Sequence, residues 1–82
     1  KIIKVKEINW ISEKIKNNMA CMAKIKSDQN PQIGKLIRLE KNEVEFKFNN
    51  SQISIAPGQA CVFYNGEEVL GGGWIKKIIN PN

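Results

Sequence analysis

The chain has 82 residues, no histidine and two cysteines, Cys21 and Cys61. Without imidazole it lacks the commonest general base and the commonest nitrogen ligand for metals. Ser-His and Cys-His pairs for nucleophilic catalysis are absent for the same reason. Two cysteines alone do not close a tetrahedral zinc site. Cys21 and Cys61 lack CxxC spacing and sit in apolar runs; they could pair if strands bring them together, but they read rather as free buried thiols. Carboxylates occur in "NEVEFKFN", where alternation puts Glu43 and Glu45 on one strand face with Lys47. That is the pattern of a solvated face rather than an acid–base pair. These residue types assemble no catalytic centre, and the isolated chain is expected not to be an enzyme.

The other chemical candidates are glycines and cations. "LGGGWI" holds Gly71, Gly72 and Gly73. A phosphate-binding glycine loop follows a strand and opens a helix, so that backbone amides and the helix dipole meet the anion. Here "WIKKII" follows, with β-branched residues, no cap and Pro81 close behind, and it reads as a strand. Neither GxGxxG nor GK[ST] is present. Glycines inside a strand mark a bulge, a sharp barrel corner or a close backbone approach. Gly72→Val is therefore expected to destabilise the fold.

The net charge is +5 and unevenly spread. Residues 1–26 hold seven lysines against Glu7 and Glu13, and residues 40–68 hold five glutamates against Lys41 and Lys47. Lys76 and Lys77 restore a basic end. One basic and one acidic surface are expected. A basic surface suits RNA, DNA or an acidic protein face, although solvated lysines on strand faces give the same composition.

The elements that must position these groups alternate with period two. Val44, Phe46 and Phe48 share one face; Met19, Cys21, Ala23 and Ile25 share another. "IIKVKEI", "GKLIRLE", "QISI" (Ile53 and Ile55 inward), "CVFY" and the runs on either side of the glycines complete the set. Turns are expected at Lys41-Asn42 and Asn49-Asn50-Ser51, and a type II turn at Pro57-Gly58. Asn65-Gly66 predicts a type I′ hairpin. "ISEKIKNN" is read as a short helical turn or a loop, and "SDQNPQ" as a loop. Six or seven short strands predict an all-β domain, a small closed or nearly closed antiparallel β-barrel of about six strands. No apolar run approaches the roughly 20 residues of a membrane helix, and "KIIKVKEI" lacks a signal peptide's apolar centre. A cytoplasmic chain with no membrane partner is expected. It begins at Lys1 rather than Met and is read as a piece of something longer or as a trimmed chain.

"APGQACVFYNGEEVLGGGWI" closely resembles the end of bacterial tRNA-specific 2-thiouridylases, through Pro57, Gly58, Gln59, Val62, Phe63, Tyr64, Gly66, Glu67, Leu70, Gly71, Gly72, Gly73 and Ile75. "INWIS" resembles an upstream segment of that family through Asn9, Trp10 and Ile11, and "CMAKIKSDQNP" another through Cys21, Lys24, Ile25 and Gln29. Where the family has Arg-Tyr-Arg, this chain has Lys26, Ser27 and Asp28, which forfeits the bidentate fork of arginine and an aromatic ring. The resemblance implies that residues 1–82 form a single C-terminal barrel of a longer enzyme. That enzyme would bind ATP in a separate catalytic domain, adenylate the wobble uridine of tRNA and transfer persulfide sulfur through cysteines outside this chain. The barrel itself would hold no cofactor. Its implied partners are tRNA, its own catalytic domain and, for the parent enzyme, a sulfur-relay protein.

In this reading Lys24, Lys26 and Gln29 contact RNA, with Lys4 and Lys6 adding charge. The alternative is a module that braces the catalytic domain or a sulfur-relay protein and touches RNA little. Trp10 and Trp74 are expected to fill the core rather than stack on bases. A general single-strand binder would need more exposed aromatic rings than this chain offers.

Overall fold

A computed structural model describes residues 1–25, 30–50 and 54–79. They form six strands: β1 (Ile2–Trp10), β2 (Met19–Lys24), β3 (Gln32–Leu39), β4 (Glu43–Phe48), β5 (Ala60–Asn65) and β6 (Glu68–Ile79). All neighbours are antiparallel, and the sheet closes as a barrel in the order β1-β4-β3-β2-β5-β6. The expected all-β antiparallel barrel is the fold observed. Closure removes free strand edges from a domain too small to cover them otherwise.

Alternation places the core. Ile3 and Val5 of β1, Val44 and Phe46 of β4, Leu36 of β3, Ala23 of β2 and Phe63 of β5 are fully buried. Phe46 stands edge-on to Phe48 at 4.9 Å and tilted against Phe63 at 5.4 Å, and Trp10 stacks on Phe63 at 5.8 Å. Each such ring contact contributes about 0.5–1.5 kcal/mol beyond the burial of its area.

Four register shifts interrupt the ladders, and two of them show how the alternation is reset. Glu7 adopts a left-handed φ of 54°, where the β1–β6 register shifts between Lys6 and Asn9. Before it Ile3 and Val5 point inward; after it Ile8 and Trp10 pack on the core. An extra residue in β3, Ile37, does the same: Leu36 is buried on one side of it and Leu39 packs inward on the other. A bulge lets a strand that has lost phase return its apolar residues to the interior.

The runs around the triple glycine are one continuous strand, β6. A Cβ on Gly71 would lie 2.6 Å from the Asn9 carbonyl oxygen and 2.7 Å from Trp10 Cε3. One on Gly73 would run into the Lys6 carbonyl and come within 2.9 Å of Ile8 Cδ1. One on Gly72 would lie 2.9 Å from the Cys61 carbonyl oxygen. The glycines let β6 press against β1 and β5, and no helix follows them.

Pro57-Gly58 turns as the sequence predicts: Gly58 has φ of 93°, and the Gln59 amide donates to the Ala56 carbonyl at 3.4 Å. The second hairpin differs by one residue. Asn65 is still paired, with Glu68, so Gly66 and Glu67 form the turn. Of these only Gly66 has positive φ (64°), which is the II′ pattern rather than I′. Residues 11–18 form no helix; Asn17 Oδ1 instead accepts the Leu39 amide at 2.8 Å, and Asn18 turns with φ of 64°. In "QISI", Ile53 lies outside the described residues, while Ile55 packs on the core without being part of a strand. Ser51 of the "NNS" turn and Ser27, Asp28 and Gln29 of the "SDQNPQ" loop also fall outside them, while Gln32 opens β3. Among the described residues no helix is long and apolar enough to cross a membrane.

Candidate nucleic-acid interface

The charge blocks seen along the chain do not become separate surfaces. β1 pairs with β4, so Lys4 stands opposite Glu45 and Lys6 opposite Glu43 on the outer face. The Lys4 Nζ lies 3.4 Å from Glu40 Oε1, 3.6 Å from Glu43 Oε1 and 3.9 Å from Glu45 Oε2. Lys76 Nζ donates to Glu43 Oε2 at 3.0 Å. Desolvation pulls the Lys4 pKa down, but the hydrogen bond to Glu40 and the charges of Glu40, Glu43 and Glu45 outweigh it and leave the ammonium above its usual range. The Lys76 hydrogen bond, working against desolvation, holds the Glu43 carboxyl below its usual range. Three carboxylates against two ammonium groups leave no surplus of positive charge for a phosphate at this spot.

Lys6 and Lys24 sit differently. Neither forms an ion pair with a described residue. Lys6 is exposed, and its β6 partner in the ladder is Trp74. Trp74 is 48% exposed and faces outward, against the expectation that both tryptophans fill the core. Trp10 does pack inward, because the Glu7 bulge reverses its face. Trp74 shares the outward phase of β6 with Gly72, between Ala60 of β5 and Lys6 of β1. The sequence carried a signal for this: Trp74 is one residue from Ile75, so both cannot point inward in a regular strand.

Lys24 ends β2, half-buried, with Val62 of β5 as its ladder partner. Lys26 and Gln29 lie outside the described residues, in the segment that follows Lys24 by two to five positions. The barrel thus brings Lys6 beside Trp74, sets Lys24 on the adjoining cross-strand row, and places Lys4 inside an acidic cluster.

The two thiols belong to the interior. Both are free, Cys61 fully buried. Burial pushes Cys21 up to about 11; burial, then the charge of Cys21, pushes Cys61 up to about 12. Neither is a thiolate at neutral pH. An unfolded thiol ionises near its ordinary 9.0 while the folded one stays protonated, so any stability carried by the thiols is present below pH 9.0 and falls as pH rises beyond it. A thiol-specific disulfide reagent at about pH 8 should label Cys61 only at the rate of unfolding. Rapid stoichiometric labelling of the folded protein would contradict this burial.

The family model for the aminomethyltransferase β-barrel domain matches residues 1–75. The chain is 42% identical over 77 residues to the tRNA-specific 2-thiouridylase MnmA of Rickettsia felis, covering 92% of this chain and 21% of the relative. Its counterpart in Rickettsia canadensis is 40% identical over 77 residues, with the same 92% and 21% coverage. That of Rickettsia bellii is 35% identical over 79 residues, covering 94% and 22%. The chain therefore spans about a fifth of the length of the curated relatives it matches. With six antiparallel strands closed around an apolar core and a family match over most of its length, the chain belongs to the aminomethyltransferase β-barrel domain family, in the form similar to the barrel of tRNA-specific 2-thiouridylases.

Proposed function

We propose that this chain is the accessory barrel by which a tRNA 2-thiouridylase holds its tRNA. The single observation that carries the reading is the exposed ring of Trp74 beside Lys6, with Lys24 on the adjoining cross-strand row and neither lysine ion-paired with a described residue. Lysines at such spacing attract phosphates, and an exposed indole offers a face on which an unpaired base stacks. Lys26 and Gln29, outside the described residues, remain candidates on sequence grounds only. Lys4 contributes least, since three carboxylates already engage it. ATP binding, uridine adenylation and persulfide transfer belong to the catalytic portion of the whole protein, which acts in the cytoplasm with a sulfur-relay protein as donor. The barrel supplies binding energy and orientation only.

The test is tRNA affinity of the full-length protein across a salt series. Lys24→Ala and Lys6→Ala should each weaken binding and flatten the log–log salt slope by about 0.7–0.9. Lys4→Ala should leave the slope unchanged. Trp74→Ala should weaken binding by about 1–3 kcal/mol with no change in slope. Unchanged slopes in both Lys24→Ala and Lys6→Ala would remove RNA from this surface.

A further inference from the structure

Four large apolar side chains are clearly exposed among the described residues: Ile11 (67%), Ile33 (60%), Trp74 (48%) and Val69 (37%). Trp74 flanks the cationic surface. The other three fall on one line. Ile33 of β3 is the ladder partner of Met22 of β2; Met22 is the partner of Tyr64 of β5; Tyr64 is the partner of Val69 of β6. Ile11 continues the line past β6, its amide donating to the Leu70 carbonyl at 2.8 Å. Cross-strand partners on one face stand about 4.5–5.5 Å apart, so Ile33, Met22, Tyr64 and Val69 form a band across four strands on the outside of the barrel, with Ile11 next to its β6 end.

Such a band is unusual for a solvated sheet face, which ordinarily alternates to polar. It is not spare core, because the barrel is closed and Phe46, Phe63 and Leu36 fill its interior. The charged face carrying Lys4, Glu43 and Glu45 lies on β1 and β4, away from β2 and β5. Contiguous exposed apolar side chains mark a protein contact.

We propose that the band Ile11, Val69, Tyr64, Met22, Ile33 is the surface by which the barrel docks on the catalytic portion of its own polypeptide. This rests on the reading of the chain as a thiouridylase barrel. Two observations select the occupant. The chain spans only about a fifth of the relatives' length, so in proteins of this kind a much larger body accompanies the barrel. The described band residues carry no charge; of the residues proposed for tRNA, Lys6 and Trp74 lie two cross-strand rows away, and Lys24 is the next outward position after Met22 on β2. One barrel thus presents an apolar band to protein and, bordering it at Lys24, a cationic and aromatic surface to RNA.

Hydroxyl-radical footprinting of the full-length protein without tRNA reads the band directly, since thioethers and phenol rings oxidise readily. Met22 and Tyr64 should label severalfold more slowly in the wild type than in the double variant Ile33→Glu, Val69→Glu, while Trp74 labels equally in both. Ile11→Glu lies outside the strands and should raise Tyr64 labelling with the melting temperature kept, which separates undocking from misfolding. Equal labelling of Met22 and Tyr64 in wild type and both variants would overturn the proposal. So would protection lost on dilution together with a halved mass in light scattering, which would make a second copy the occupant. Protection that appears only on adding tRNA would overturn it in favour of RNA. The salt slopes of Lys6→Ala and Lys24→Ala are measured separately, so the tRNA reading and the docking reading fail independently.

Discussion

Gly73→Val will unfold the barrel or cost it several kcal/mol. The Gly73 Cβ position is occupied already by the Lys6 carbonyl, with Ile8 Cδ1 at 2.9 Å and Val5 Cγ1 at 3.0 Å. A carbonyl in the β1–β6 ladder cannot move aside without breaking hydrogen bonds of the strand that closes the barrel. Overpacking in a well-packed core costs about 1–3 kcal/mol, and the lost ladder contacts add to it. Against a total stability of about 5–15 kcal/mol, that is a large fraction. Gly72→Val should also destabilise, by less, since its tightest contact is the Cys61 carbonyl oxygen at 2.9 Å and the next lie at 3.5 Å. Gly58→Ala serves as the comparison: nothing lies within 4 Å of that Cβ, and only its φ of 93° opposes a side chain, at about 1–2 kcal/mol. Denaturant unfolding measures all three. If Gly73→Val costs no more than Gly58→Ala, close approach is not what the triple glycine provides.

Phe46→Ala should cost about 3–5 kcal/mol, the range for removing a fully buried aromatic side chain. Phe46 is fully buried and meets both Phe48 and Phe63. It also lies under Gly34 of β3, where a Cβ would come within 2.6 Å of Phe46 Cζ. The ring and the missing side chain are therefore coupled. Gly34→Ala combined with Phe46→Leu should destabilise by less than the sum of the two single changes, with a coupling of about 0.5–3 kcal/mol. The relief will be partial, because the Lys47 carbonyl also occupies the Gly34 Cβ position. Additive effects in the double-mutant cycle would show that Phe46 does not fill the space left by Gly34.

Period-two patterning made β4 legible at once: Val44, Phe46 and Phe48 are buried as the alternation requires. The type II turn at Pro57-Gly58 was equally local, since proline presets one torsion and glycine accepts the other. The hairpin after β5 was legible as a hairpin but not in register. Asn65 and Gly66 fit the sequence preference for I′, yet the ladder keeps Asn65 paired and shifts the turn to Gly66-Glu67. Pairing along β5 and β6 outweighs the preference of one dipeptide.

Residue types and their local spacing were sufficient for the all-β class, the faces of a regular strand such as β4 and the structural role of the triple glycine, because side-chain direction in an unbulged strand depends only on neighbouring residues. Strand order, bulges and the meeting of distant charges came only with the tertiary structure. The bulge at Glu7 turns Trp10 inward, while Trp74, one residue from the buried Ile75, stays outside. Pairing of β1 with β4 sets Lys4 among Glu40, Glu43 and Glu45, although the sequence holds those charges in separate blocks. Closure likewise lines up Ile33, Met22, Tyr64 and Val69 from four strands into one apolar band. None of these follows from local spacing, since each is set by contacts between residues far apart in the chain, and closure into one particular strand order fixes them together.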